Sequence, residues 1–516
     1  MHETSQLGRY SKGCYMYAHV YSAALLGAQG HPLVVEAHIG KGIPGFTIVG
    51  LPDESCRESR DRVRAALLSS ELPWPNKRVT INLVGSDERK GGAALDLAIA
   101  VALLVAQEIV PQSMVDDCAF LGELGLDGSL RHTTGIAPLV MSVASREVVV
   151  AHADAEEAAL VQPRVLRAAS TLREVAECLR EEKPWSDVPV NALQFPARVI
   201  ADMSDVRGQG FARRALEVAA AGHHHVLMVG SPGSGKSMLA KRLPGLLPPL
   251  SQHEALQAAI VRSAAGVRRD DLMSDVPTFR APHHSVSMVA MVGGGSAHMR
   301  PGEISLASGG VLFLDEMGEF APSVLDALRQ PLEEGVIRLS RARGSLEMPA
   351  RFMLIGASNP CPCGEVNPQL CTCAPHMIQR YVRRFSGPLL DRFDIRIMMN
   401  RPTAADLTSD EPSESSSVIA ERVAYARKVA MERQGCLNAD ITAEVLDDVA
   451  PLSLGAKDYL HNALSRATLS GRGYHRVRRV ARTIADLRGA PSMVSVEHVE
   501  TALSMRHDVM AKTAMV

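Results

Sequence analysis

No part of this chain constrains its fold more than the segment Gly230-Ser231-Pro232-Gly233-Ser234-Gly235-Lys236-Ser237. It carries the pattern Gly-x-x-x-x-Gly-Lys-Ser/Thr at every fixed position. The apolar run Val226-Leu227-Met228-Val229 before it reads as a buried strand, and Met238 to Leu243 after it reads as a helix. Glycines at a strand-to-helix turn let backbone N–H groups converge on phosphate oxygens at a helix N-terminus. Residues 230–237 are therefore read as the cradle of ATP, with Lys236 reaching the β- and γ-phosphates and the Ser237 hydroxyl on Mg²⁺. The pattern also recurs by chance, so a second element is required.

Val311-Leu312-Phe313-Leu314-Asp315-Glu316 supplies it, as a continuous apolar strand ending in two carboxylates. Asp315 is expected at the Mg²⁺ shell and Glu316 beside the attacking water, the alternative being ordinary loop chemistry. A further buried strand, Ala350 to Ser358, ends on Asn359. Asn359 is expected next to the γ-phosphate, or else caps a turn before Pro360. In Ser386-Gly387-Pro388-Leu389-Leu390-Asp391-Arg392-Phe393-Asp394, Arg392 reads as an arginine finger acting on the nucleotide of a neighbouring subunit, or as a surface arginine paired with Asp391 and Asp394. Leu469 to Arg479 opens a strongly basic helix. One of its arginines, Arg472 in preference to Arg476, is expected to reach back to the nucleotide.

At 516 residues the chain exceeds one compact core. Its formal net charge of −2 excludes a globally basic nucleic-acid binder, so any DNA contact must be local. Two Trp and eight Tyr argue against wide base-stacking platforms. Acidic residues such as Asp96 and Glu108 interrupt the longest apolar stretches, so no membrane span is expected. An odd count of nine Cys, four of them clustered, points to a reducing cytoplasm and a metal or redox cluster rather than a disulfide framework.

Composition divides the chain into a disordered extension (1–15), an αβ domain (16–180), a polar linker (181–201), a nucleotide-binding αβα domain (202–403), a Ser-rich flexible linker (404–417), a helical domain (418–508) and a tail (509–516).

These stretches, with VEAHIGKGIPGFTIVGLPD, ESRDRVRAAL, FRAPHHSVS, PGEISLA, GVLFLDE, LRQPLEEG, SNPCPCG, SGPLLDRFD and RVARTIADL, resemble the magnesium chelatase-like AAA+ family over residues 16–508. The resemblance implies an α/β fold: an AAA+ P-loop αβα domain with a C-terminal helical lid, preceded by a Lon-protease-like (S5-like) α+β domain. It implies a homo-hexameric ring that hydrolyses ATP and drives translocation and branch migration on DNA threaded through a central pore, with recombinase or loading proteins as further partners. An ATPase subunit of a metal-chelatase-like complex is the alternative, weakened by the N-terminal domain. Residues 85–140 resemble the Lon proteolytic domain, but the alignment sets Ala94 at its serine and Ala137 at its lysine, and a methyl group can neither attack a carbonyl nor take a proton.

Two DNA-gripping elements are expected. Gly335 to Met348 alternates apolar and polar residues and turns at Arg343-Gly344, a hairpin whose Arg341 and Arg343 would meet phosphates, or serve solubility. His283 and His284 begin a second loop that ends in Gly293-Gly294-Gly295. His223-His224-His225 read as a polar turn, and Arg57, Arg60, Arg62 and Arg64 as a basic helix face for a partner or as plain ion pairs. Cys361, Cys363, Cys371 and Cys373, spaced C-x-C-x₇-C-x-C, suit a structural Zn²⁺, with a redox pair or free thiols as alternatives.

Overall fold

A computed structural model of the chain describes residues 16–50, 54–85, 92–188, 200–267, 272–295, 299–341, 344–367, 369–408, 413–466, 469–489 and 492–506. The N-terminal part is built on strands β1 (Met16–Leu26), β2 (Gln29–Gly40), β3 (Gly45–Val49), β4 (Arg78–Val84), β5 (Cys118–Leu121), β6 (Glu147–Ala151) and β7 (Val165–Ala169). They form one mixed sheet in the order β3-β4-β2-β1-β5-β6-β7. Helices α1 (Glu54–Ser69), α2 (Asp96–Ala106) and α5 (Leu172–Leu179) contribute to the larger apolar cluster against this sheet. Helices α3 (Ile136–Ser142) and α4 (Ala155–Ala159) contribute to a separate smaller one. Every residue of α2 is buried, as an all-apolar helix demands. Its one charge, Asp96, is held by Arg62 at 2.6 and 3.1 Å. Arg62 is therefore an internal partner and not part of a free basic face. Arg64 lies 5.9 Å from the Trp74 ring centre, and Arg60 lies 3.9 Å from Asp61. Ala94 and Ala137 are both buried.

The central part is a second sheet, entirely parallel. Its strands are β8 (Val226–Gly230), β9 (Phe279–Arg280), β10 (Val311–Leu314), β13 (Met353–Ser358) and β14 (Ile395–Met399), in the order β9-β10-β13-β8-β14. The three middle strands, β10, β13 and β8, are buried along their whole length, which is why each reads as an uninterrupted apolar run. The expected hairpin is present as β11 (Val336–Arg341) paired antiparallel with β12 (Gly344–Pro349). Its tip, including Arg343, lies outside the described residues. Midway along the hairpin, Leu346 packs against Gly27 in the β1–β2 turn, and the Gln29 amide donates to the Glu347 carbonyl at 3.5 Å. The hairpin is thus braced by the N-terminal part. Gly293 and Gly294 pair as a short strand with Arg300 and Pro301. Gly293 has φ 102°, and a Cβ there would meet the Arg300 carbonyl at 2.7 Å, so glycine serves close approach in this loop.

Helices α6 (Gly210–Gly222) and α7 (Lys236–Ala240) join the core on this sheet, and α8 (Gln252–Ala265) packs on α3 of the N-terminal part. The C-terminal part is helical, as expected: α9 (Ser416–Gln434), α10 (Leu454–Ser465), α11 (Gly471–Leu487) and α12 (Val496–Ser504). The described end of the Ser-rich segment is tied down. Ser416 Oγ accepts the Met203 N–H at 2.7 Å, its own N–H reaches Asp202 at 3.2 Å, and Ser413 Oγ donates to Val206 at 2.7 Å. Serine here satisfies one loop N–H, that of Met203, and one carbonyl, that of Val206. No helix among the described residues is long and apolar enough to cross a membrane.

Candidate nucleotide-binding site

A parallel sheet offers ligands the crevice beyond the carboxyl ends of its strands. Register puts the expected residues there together. Gly230 ends β8, Asp315 follows β10 and Asn359 follows β13. Gly230 must be glycine because a Cβ would lie 2.3 Å from the Met399 carbonyl. Gly233 and Gly235 take φ of 79° and 91°, and the loop Ser231-Pro232-Gly233-Ser234 wraps the buried Lys236. Lys236 Nζ donates to the Gly230 carbonyl at 2.6 Å, Ser231 carbonyl at 3.0 Å, Asn359 Oδ1 at 3.4 Å and Ser234 Oγ at 3.5 Å. Burial holds its ammonium below the ordinary lysine range, against the opposing pull of Asp315 and Glu316.

Ser237 Oγ donates to Asp315 Oδ2 at 2.6 Å, so the two Mg²⁺ ligands expected from sequence already touch. A hydroxyl and a carboxylate at that distance, beside a lysine, fit a hard cation and its phosphate. Glu316 is exposed and takes a left-handed backbone (φ 49°), a strained conformation for a non-glycine residue.

Three further findings were not legible in the sequence. Gln209, at φ 56°, donates to the Ser234 carbonyl at 3.0 Å and the Asn400 carbonyl at 2.6 Å, and Arg401 Nε donates to the Pro232 carbonyl at 3.2 Å. The Gly208-Gln209-Gly210 run before a helix was the one available signal. His284, expected on a DNA-contacting loop, has Nδ1 3.6 Å from Glu316 Oε2. The His283 ring centre lies 4.1 Å from that of His284. Both histidines therefore belong to the surroundings of Glu316. The side chain of Arg341 lies outside the described residues.

The opposite, amino-terminal end of the sheet holds the other expected arginines. Buried Asp394, just before β14, is met by Arg476 at 2.5 Å and by His224 Nδ1 at 3.3 Å. His224 Nε2 is 2.7 Å from Thr483 Oγ1 of α11. Burial opposes ionisation of Asp394, but His224 and Arg476 outweigh it and hold the carboxyl far below its usual range. The triple histidine is thus the expected polar turn before β8, and it also joins the sheet to α11. His225 Nδ1 also accepts the Leu354 N–H at 3.1 Å.

Arg392 pairs with neither Asp391 nor Asp394 but with Glu333. Burial first, then the positive charges of Arg476, Arg472 and Arg329, lower its pKa. Arg472 is therefore a neighbour of Arg392, at the end of the sheet away from residues 230–237. Within one chain, α11 packs along α6 and meets the amino ends of β8 and β14, so Arg472 does not stand beside residues 230–237 of the same chain.

Cys361, Cys363, Cys371 and Cys373 converge, each Sγ within 4.8 Å of the others. Burial and the adjoining Cys363 and Cys371 thiols push Cys361 up. Burial of Cys363 is outweighed by hydrogen bonds from the Glu365 backbone and the Cys361 thiol, which bring it down.

Three family models match in series: subunit ChlI of Mg-chelatase over residues 35–154, magnesium chelatase, subunit ChlI, over 202–407, and its C-terminal part over 413–506. The chain is 41% identical over 494 residues to competence protein ComM of Haemophilus influenzae, covering 94% of this chain and 97% of that one. It is also 41% identical over 496 residues to YifB of Escherichia coli, covering 94% and 96%. This chain belongs to the ComM/YifB-type magnesium chelatase-like AAA+ family. A more distant relative is the magnesium-chelatase 38 kDa subunit of Cereibacter sphaeroides, 25% identical over 301 residues, 54% of this chain and 82% of that one. Membership in this family implies an ATPase that uses ATP and Mg²⁺, in agreement with the site built by Lys236, Ser237 and Asp315.

Proposed function

We propose that this chain is an ATP-driven cytoplasmic motor that assembles as a homo-hexamer and moves branched DNA through its pore. It would act on recombination intermediates, in natural transformation or in recombination repair. The observation that carries the ATPase part is the convergence of Lys236, Ser237, Asp315 and Asn359 at the carboxyl ends of three neighbouring strands. Backbone N–H groups of 233–237 and the Lys236 ammonium would hold the phosphates. Ser237 and Asp315 would hold Mg²⁺, which when bound offsets negative charge on the phosphates. Glu316 would take a proton from the attacking water, and Asn359 would orient that water. Arg392, joined by Arg472 on the same face, would enter the site of the adjacent subunit on release from Glu333.

The DNA part is supported by the name of the Haemophilus influenzae relative and by the β11–β12 hairpin with Arg341 and Arg343, braced where it could pass force to the N-terminal domain. We read that domain as Lon-like in fold and without peptidase chemistry, because Ala94 and Ala137 offer neither nucleophile nor base. A four-way-junction unwinding assay tests the reading. The wild type should separate strands with ATP, and Glu316→Gln should bind ATP and DNA but separate none. A wild-type protein that stays monomeric with ATP and junction DNA, and moves no strand, would sink it.

The second reading, an ATPase subunit of a metal-chelatase-like complex, is favoured by the likeness to the magnesium-chelatase 38 kDa subunit. The N-terminal domain does not count against it, since the model matching 35–154 bears a chelatase description too. ATPase stimulation by a porphyrin with a large partner subunit, and not by branched DNA, would favour it.

A further inference from the structure

The loop from Asn359 to the helix Pro375–Val382 has no regular secondary structure among its described residues and only local turns, such as Gly364 N–H to Cys361 carbonyl at 3.0 Å and Cys371 N–H to Asn367 carbonyl at 3.1 Å. Such a stretch beside a catalytic residue needs another source of order. Its four thiols supply a geometry for one. Sγ separations are 3.3 Å for Cys361–Cys363, 3.7 Å for Cys361–Cys371 and 3.6 Å for Cys363–Cys371. Cys373 Sγ accepts the Cys363 N–H at 3.3 Å. A tetrahedral Zn²⁺ with Zn–S bonds of about 2.3 Å sets its sulfurs about 3.8 Å apart. A disulfide would need about 2.05 Å. The observed separations match the first.

The same loop touches the nucleotide site. Gly364 has φ 79°, and a Cβ on it would lie 2.7 Å from Pro232 Cδ and 3.8 Å from Asn359 Cγ. The turn between Cys363 and Glu365 thus rests on the phosphate loop and beside the residue whose Oδ1 receives Lys236.

We propose that Cys361, Cys363, Cys371 and Cys373 bind one Zn²⁺ per chain, and that this clip holds Pro232 and Asn359 in place, so that nucleotide affinity depends on the metal. The second half rests on the reading of residues 230–237 as the nucleotide site. A clip of this kind also makes the motor sensitive to thiol oxidation and to zinc withdrawal, because either would free the loop that seats the phosphates.

The test uses the full chain, purified with reductant in zinc-containing medium. Metal analysis should find one zinc per chain, and the Co²⁺-substituted protein should show thiolate-to-cobalt charge-transfer and tetrahedral visible bands. Cys363→Ser with Cys371→Ser should lose both. Removing zinc with a strong chelator under reductant should weaken binding of a fluorescent ATP analogue about 10- to 100-fold, the scale set by a displacement of about 1 Å in a positioned site, and added Zn²⁺ should restore it. Circular dichroism melts on the same samples separate this loss from unfolding. Gly364→Val keeps all four thiols. It should retain zinc yet bind the analogue more weakly, since its Cβ meets Pro232. A reduced wild type without tightly held metal would overturn the site. Zinc present, with analogue binding unchanged by both chelation and Gly364→Val, would overturn the coupling. In that case loss of analogue binding in Lys236→Ala would leave the nucleotide reading standing, and retained binding there would bring that reading down as well.

Discussion

At the carboxyl end of the five-stranded sheet, Lys236 spreads its ammonium over four acceptors between 2.6 and 3.5 Å, and Glu316 stands exposed on a strained backbone. At the amino end, Asp394 is closed in by Arg476, His224 and, on its carbonyl, Arg506 at 3.1 Å. Both ends collect charge. The first holds it on a glycine-rich loop with acceptors that phosphate oxygens can replace. The second satisfies buried charges by fixed partners from three segments far apart in sequence, which is how a joint between domains is made rigid. The lesson is that clustered charge marks a ligand site when its partners are exchangeable backbone groups, and a structural joint when they are complementary buried ions.

The largest effect that tests this contrast is at Lys236. Lys236→Ala should remove nucleotide binding and hydrolysis to background while leaving the thermal midpoint close to wild type, measured by analogue titration and calorimetry. A large drop in stability would place Lys236 with the structural ions. Arg392→Ala comes next. It should leave nucleotide binding intact and lower hydrolysis by about 10³–10⁵ in the assembled ring, the usual worth of a trans arginine. Normal turnover would return Arg392 to a plain ion pair with Glu333.

Asp394→Asn reverses the pattern. It strands Arg476 and His224 without a buried counter-charge and should cost about 3–5 kcal/mol of stability in urea unfolding, with the affinity for nucleotide preserved. An unchanged midpoint would show that the joint carries no stability.

The smallest effect is with pH. Burial lowers the His225 pKa to about 4, against the pull of Asp394 and with Arg476, His224 and Arg392 adding to the fall. The unfolded chain, with an ordinary histidine near 6.5, binds more protons between those values, so stability is full above about 6.5 and declines toward about 4. Below about 4 the depressed Asp394 carboxyl takes over, since its stabilisation is lost as acid protonates it. His225→Asn should flatten the upper limb of a melting-point-versus-pH curve. An unaltered limb would move the titration to other groups.

Much of the nucleotide site was open to inference from the chain alone. Strands Val226–Gly230, Val311–Leu314 and Met353–Ser358 are apolar throughout because both faces are covered, and each delivers its polar residue to the same edge because parallel strands all end there. Those are local rules of periodicity and direction. The placement of Arg472 away from its own phosphate loop, of His284 against Glu316, of His224 between Asp394 and Thr483, and of Gly364 upon Pro232 obeyed no local rule. Each depends on the packing of segments tens to hundreds of residues apart: α11 along α6, the loop after β9 over β10, and the cysteine loop back upon the turn after β8. Such contacts are set by the shapes of whole surfaces, and no short stretch of sequence encodes a surface.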